Sequence, residues 1–104
     1  MRTMTNFHGI IPAIAVPFRP DYGIDEPELR RFAAWLGRRK GVIGLMTNGH
    51  TGEVFSHTPT ERATVTRIVA DELRGRLPVI SSIVCEGFAD AAEHGRMADV
   101  RPRQ

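Results

Sequence analysis

The chain has 104 residues, enough for one small domain with its own hydrophobic core and too few for two. Hydrophobic residues make up 41% of it and charged residues 25%, a composition typical of globular proteins. The apolar stretch nearest the N-terminus, residues 10–16, is too short for a membrane span or a secretion signal. We therefore expect a soluble cytoplasmic protein without a membrane partner.

The charged and sulfur-containing residues exclude several classes of site. The formal net charge is +2, but the basic residues, all arginine except Lys40, are scattered, so we expect no nucleic-acid partner. A single cysteine, Cys85, excludes an internal disulfide and is expected to pack as a small hydrophobic residue. His8, His57 and His94 have no neighbour at metal-ligand spacing, so we predict surface histidines, no metal and no cofactor.

Three unbroken apolar runs predict β-strands that are buried on both faces. They cover residues 10–16, 42–46 and 78–84 and lack the alternation of half-exposed strands. Pro12 argues against a regular ladder in the first run, because proline has no N–H group to donate and is tolerated mainly near the start of a strand.

A helix is predicted after each of these strands. Asp25 can cap the first helix, whose apolar face recurs at helical spacing at Leu29, Phe32, Ala33 and Leu36. Thr58 and Glu61 form the sequence signature of a capping box at the start of the second helix, and Gly75 marks its end. Residues 88–98 predict a third helix.

The predicted order is therefore strand, helix, strand, helix, strand, helix. The strands start about 32 and then 36 residues apart, a spacing typical of parallel strands joined by right-handed helical crossovers. Two architectures fit: a free three-stranded sheet, or part of a closed barrel of eight such units, which needs about 250 residues.

The turn after the second strand, residues 47–53, is richer in polar groups than a connection requires. It reads Thr-Asn-Gly-His-Thr-Gly-Glu, and its two glycines allow a ligand to approach the backbone closely. A purely structural turn is the simpler interpretation. Glu53 is expected to make structural hydrogen bonds rather than to act as a base.

The series of landmarks over residues 9–98 resembles the N-terminal part of the dihydrodipicolinate synthase and N-acetylneuraminate lyase family. The segments that carry the resemblance keep the family's order and spacing: residues 9–18, 23–25, 41–45, 49–53, 58–62 and 75–80. The resemblance implies an α/β fold consisting of the first three βα units of an incomplete (β/α)8 TIM barrel. It leaves residues 1–8 as a flexible N-terminus and residues 99–104 as a divergent tail.

The resemblance also implies an activity. Members of the family bind pyruvate or another 2-oxo acid as a Schiff base on a lysine and make or break a carbon–carbon bond, and they are usually tetramers. In the family's Gly-[Ser/Thr]-Thr-Gly-Glu loop, the amides and hydroxyls of the two central residues hold the carboxylate and join a proton relay. Transferred by position, His50 and Thr51 are the catalytic candidates, and the substrate-binding candidates are Gly49, His50, Thr51, Gly52 and Glu53.

Two departures from the family pattern affect the expected activity. His50 replaces a serine or threonine, and imidazole is larger and can exchange a proton near neutral pH. The family's lysine and relay tyrosine belong to later strands, whereas this chain has only Lys40, expected at the end of the first helix, and Tyr22, in an early loop. We therefore expect a lyase or aldolase chain that is inactive in isolation.

The last residues lead to a hypothesis about the chain itself. Residues 99–104 read Asp-Val-Arg-Pro-Arg-Gln where the family continues toward a fourth strand, which suggests a truncated or frameshifted product. The alternative function is that of a non-catalytic fragment or interaction domain that retains only the carboxylate-binding loop.

Overall fold

The structure is a computed structural model in which residues 8–99 are described. Three helices alternate with two short strands: α1 (Glu26–Gly37), β1 (Leu45–Thr47), α2 (Pro59–Leu73), β2 (Val79–Ser81) and α3 (Phe88–Ala98). Two short 3-10 turns lie between β1 and α2. The expected flexible N-terminus and divergent tail fall outside the described residues except for His8 and Asp99.

The strands are parallel, as predicted. β1 pairs in register with β2, and residues 10–16 run along the opposite side of β1 through parallel bridges. The three segments thus lie side by side in sequence order, which is the strand order of a barrel built from successive βα units.

Residues 10–16 pair in parallel as predicted, and their ladder is irregular, as Pro12 indicated. In the described chain this segment makes isolated parallel bridges, at Ile10 and Ala13, instead of a continuous ladder. Pro12 lies between the two bridges and has no N–H to donate, although its carbonyl oxygen accepts a 2.9 Å hydrogen bond from the N–H of Met46. The loss of one donor is enough to interrupt so short a strand.

The partner segment contributes a second irregularity. The bridged positions are three residues apart in the 10–16 segment but four apart in the segment that leads into β1, as in a β-bulge. Gly44 lies in this longer stretch, and a Cβ atom there would stand 3.0 Å from the carbonyl oxygen of Pro78. Glycine therefore lets β1 approach the chain that enters β2.

The core lies between the sheet and the helices α1 and α2. Side chains of β1 alternate, so that Leu45 and Thr47 are fully buried on the helix side while Met46, on the other face, is half-buried. The buried cluster consists of Ile14, Val16, Leu29, Ala33, Leu45, Val65, Ile68, Val69 and Leu73. In contrast, no residue of α3 is fully buried.

The predicted start signals of α1 and α2 are confirmed. The Asp25 side chain accepts a hydrogen bond from the Glu28 N–H at 3.1 Å. The Thr58 hydroxyl accepts from the Glu61 N–H at 3.1 Å, while the Glu61 carboxylate accepts from the Thr58 N–H at 2.8 Å. Both caps satisfy donors that the first turn of a helix would otherwise leave unpaired. None of the helices in residues 8–99 is long and apolar enough to cross a membrane.

Candidate functional site

The polar turn lies at the carboxyl end of β1 and is built from two consecutive 3-10 turns, His50–Gly52 and Val54–Ser56. Glu53 joins them in the left-handed region, at φ 56°, and its N–H donates to the carbonyl oxygen of His50 at 3.0 Å. This end of a parallel strand is where barrels of this type place their chemistry.

Asn48 anchors the start of the turn. It adopts a left-handed backbone conformation, at φ 63°, which asparagine tolerates better than most residues. Its side-chain amide donates toward the carbonyl oxygen of Arg62 and the hydroxyl of Thr66, each at 3.0 Å, and the hydroxyl of Ser81 lies at 3.2 Å. Asn48 thus ties the end of β1 to both α2 and β2.

Gly52 fixes the other end of the turn against residues 10–16. A Cβ atom on Gly52 would lie 3.2 Å from the carbonyl oxygen of Ile14 and 3.5 Å from the Val16 side chain. The backbone is therefore packed closely on the neighbouring segment, and glycine is required there by space rather than by its dihedral angles.

Four consecutive backbone donors remain available in the turn. The N–H groups of Gly52 and Glu53 are used inside the turn, by the carbonyl oxygens of Gly49 and His50. The N–H groups of residues 48–51 have no acceptor among residues 8–99, and those of His50 and Thr51 belong to the exposed tip. Successive free amides in a turn form a concave donor group suited to an anion such as a carboxylate.

The side chains of the predicted site residues point to separate roles. Thr51 and Glu53 are exposed. The Glu53 carboxylate makes no hydrogen bond within the described chain, so the structural hydrogen bond expected of Glu53 is made by its backbone N–H instead. The ring of His50 lies edge-on to Phe55, with ring centroids 5.5 Å apart. Gly49 and Gly52 are buried at the two ends of the 3-10 turn.

The sequence did not indicate the importance of His57, and its assignment to the surface is wrong. This side chain is only 6% exposed, its Nε2 atom lies 2.9 Å from the carbonyl oxygen of Gly52, and its ring stacks on Phe18. His94 is half-buried, with Nε2 3.4 Å from the Arg62 guanidinium, while His8 is exposed as predicted. The sequence gives one weak hint of these contacts, which is that His57 lies shortly after the apolar Val54.

The single lysine lies away from the turn. Lys40 is exposed in the connection between α1 and β1, at the amino end of the sheet, whereas the turn follows the carboxyl end of β1. Tyr22, in the loop before α1, is 87% exposed. Neither residue belongs to the group of side chains assembled around the turn.

The fold and the turn together define the class: parallel βα units of a TIM barrel with an anion-suited turn at the carboxyl end of the second strand. The model of the Dihydrodipicolinate synthetase family matches residues 6–100, so the chain belongs to this family. It corresponds to the N-terminal part of the family fold.

Individual relatives agree with this assignment. The N-acetylneuraminate lyase of Escherichia coli O1:K1 / APEC is 33% identical over 89 residues, which cover 86% of this chain and 30% of the lyase. The fold matches dihydrodipicolinate synthase DapA-2 of Bacillus anthracis with a TM-score of 0.85 at 24% identity, over 91% of this chain and 32% of that one.

A second similar structure was solved with a ligand. The chloride-inhibited dihydrodipicolinate synthase of Acinetobacter baumannii, in complex with pyruvate, matches with a TM-score of 0.83 at 25% identity, over 89% of this chain and 32% of the synthase. The present chain therefore spans about a third of the length of the relatives that it matches.

Proposed function

We propose that this chain carries the carboxylate-binding part of a pyruvate-dependent lyase or aldolase of the 4-hydroxy-tetrahydrodipicolinate synthase type. The observation that carries the proposal is the pair of adjacent free N–H groups, of His50 and Thr51, at the carboxyl end of β1. The carboxylate of a 2-oxo acid is an anion of suitable size for such a pair. The pyruvate-bound relative from Acinetobacter baumannii supports this substrate class.

The geometry of the turn supports a separate role for each of its residues. The backbones of His50 and Thr51 bind the carboxylate, while Gly49 and Gly52 provide the space that the tight turn requires. The Thr51 hydroxyl is exposed and is the candidate for the proton relay. The His50 ring packs against Phe55, so the serine or threonine hydroxyl of the family is not replaced by an equivalent group.

Carbon–carbon bond chemistry requires a further group. A Schiff base forms when an uncharged lysine amine attacks the keto carbon and water leaves, and the resulting iminium withdraws electrons from the neighbouring carbon. Lys40 is the single lysine of these 104 residues and lies at the opposite end of β1 from the turn, so we propose that a lysine outside this sequence supplies the amine. Cytoplasmic location and homo-oligomeric assembly are further parts of this proposal, carried over from the family.

Titration of the isotopically labelled chain with pyruvate tests the proposal. We expect pyruvate at millimolar concentration to shift the amide NMR signals of His50 and Thr51, whereas pyruvamide, which has the keto group but no negative charge, leaves them unchanged. Equal shifts with both compounds, or none with pyruvate, would overturn the assignment.

An interaction domain is the second candidate function, and the free sheet edge favours it. The N–H groups of Ile11, Ala13 and Ala15 have no acceptor among residues 8–99 and lie on the side of this segment away from β1. Beside them, Val16, Phe32, Trp35 and neighbouring residues line an apolar groove of about 420 Å³. An unpaired edge next to an apolar groove can accept another strand. A chain that pairs through this edge without binding pyruvate would favour this second function.

A further inference from the structure

One buried polar side chain next to the turn has no assigned role in the proposed function. The His57 side chain is buried, with an exposure of 6%. Its Nε2 atom lies 2.9 Å from the carbonyl oxygen of Gly52, the last residue of the first 3-10 turn. The other ring nitrogen, Nδ1, is buried and has no partner in the part of the chain that the structure describes.

These contacts determine which nitrogen carries the proton. A carbonyl oxygen can only accept a hydrogen bond, so Nε2 must be the donor. A neutral imidazole has one N–H group, which leaves Nδ1 as a bare acceptor in a buried position. The hydrogen bond to Gly52 therefore selects the Nε2–H form of the ring at the cost of an unpaired Nδ1 atom.

The ring also connects two loops at the same end of the sheet. Phe18, in the loop that follows residues 10–16, stacks on His57 with ring centroids 5.5 Å apart and planes inclined by 24°. Gly52 packs against the carbonyl oxygen of Ile14 in the same segment. His57 therefore braces the turn against the neighbouring loop from one side while Gly52 contacts the neighbouring segment directly.

We propose that His57 is a positioning residue that holds the His50–Gly52 turn in the shape that presents its two free N–H groups. Its contact with the Gly52 carbonyl fixes the last peptide of the turn, and the stacking on Phe18 fixes the ring. The effect on ligand binding rests on the proposed function, whereas the effect on the shape of the turn does not.

The ring form is the first test and needs no substitution. In the intact 104-residue chain, long-range ¹H–¹⁵N NMR spectra should show His57 as the Nε2–H tautomer, with Nδ1 unprotonated. A ring that carries its proton on Nδ1 cannot donate to the Gly52 carbonyl and would overturn the proposal.

Two variants separate the hydrogen bond from the volume of the ring. In His57→Gln the side-chain amide nitrogen is the same number of bonds from the backbone as Nε2, so it can still donate to Gly52. His57→Leu fills the space but has no donor, and His8→Gln changes an exposed histidine as a control. Hydrogen exchange of the Gly52 and Glu53 amides should accelerate about tenfold in His57→Leu and much less in His57→Gln.

Pyruvate titration of the same variants separates this proposal from the proposed function. If exchange accelerates and pyruvate binding weakens in His57→Leu, and both return toward wild type in His57→Gln, both proposals are supported. If wild type binds no pyruvate but the exchange pattern holds, the proposed function fails and the role of His57 stands. Unchanged exchange in His57→Leu overturns the role of His57. If His57→Leu unfolds, the test rests on His57→Gln. Exchange at the wild-type rate in His57→Gln then supports the role of His57, and faster exchange overturns it.

Discussion

The hydroxyl oxygens of Thr47 and Thr66 lie 2.8 Å apart in the interior, where they join the last residue of β1 to the middle of α2. Both residues are at least 97% buried, since their exposures are 0% and 3%. The Thr66 hydroxyl also accepts a hydrogen bond from the Asn48 side-chain amide at 3.0 Å. The Thr66 side chain therefore connects the core to the start of the candidate site. Stability and site geometry are therefore coupled through this pair.

Replacing Thr66 with valine should destabilise the chain by about 1–3 kcal/mol, because it leaves buried polar partners with fewer hydrogen bonds while keeping the side-chain shape. Urea unfolding at neutral pH measures the change. Thr64→Val is the matched control, since this threonine lies in the same helix and makes no side-chain hydrogen bond among residues 8–99. Equal effects in the two variants would show that the hydroxyl network contributes nothing.

Glu61→Gln should lower stability at neutral pH by an amount that disappears in acid. The hydrogen bond from the Thr58 backbone N–H lowers the pKa of Glu61 below its usual value, outweighing a smaller opposing effect of burial. A carboxylate with a lowered pKa stabilises the fold above its unfolded pKa, and the stabilisation is lost as the pH falls through the folded value. Thermal unfolding from pH 7 to pH 3 measures this difference.

Glu86→Gln is the control for that experiment, because Glu86 is exposed and has no hydrogen-bond partner in the described chain. Its stability should follow that of the wild type across the pH range. If the difference between wild type and Glu61→Gln stayed constant down to pH 3, the capping carboxylate would not be its source.

Gly52→Ala should destabilise the chain by about 1–3 kcal/mol and weaken pyruvate binding, because the added Cβ stands 3.2 Å from the Ile14 carbonyl oxygen and must displace the turn. Gly95→Ala provides the contrast. Gly95 lies inside α3 with no atom within 4 Å of the added Cβ, so this change should stabilise the helix by up to about 1 kcal/mol. Calorimetric unfolding and pyruvate titration of both variants check the prediction.

The isolated 104-residue chain should form no Schiff base. We expect its mass to remain unchanged after incubation with pyruvate and borohydride, since Lys40 is exposed to water in the loop before β1 and is remote from the turn. Intact-protein mass spectrometry checks this, and a reduced pyruvate adduct on Lys40 would contradict it. A family member with an established Schiff base serves as the positive control.

The isolated chain should also associate with itself. Exposed apolar side chains include Ile10 at 59%, Phe55 at 68% and Phe88 at 97%, and the sheet face carrying Met46 is half-buried. Several hundred Å² of apolar surface left in water forfeits several kcal/mol, at ~25 cal/mol per Å². Size-exclusion chromatography and dye binding measure this, and a monomer that binds no hydrophobic dye would refute it.

Local signals in the sequence located the helices accurately. Thr58 and Glu61 predict the start of α2, and the boundaries of α3 were predicted as observed, because capping and helical periodicity depend on residues within a few positions of one another. The irregular pairing of residues 10–16 was predictable only in part, from Pro12, because a ladder also depends on its partner. Its register against β1 changes by one residue between Ile10 and Ala13, and no local pattern encodes such a change.

The features of the candidate site also fall into two groups, those that local sequence predicts and those that depend on contacts between distant segments. Periodicity and motifs of adjacent residues were sufficient to predict the family, the parallel order of the βα units and the position of the Gly49–Glu53 turn. They did not reveal that Asn48 anchors the turn or that His57 is buried against Gly52 and Phe18. Those contacts join residues from separate segments, and burial of a polar side chain depends on what the fold places around it.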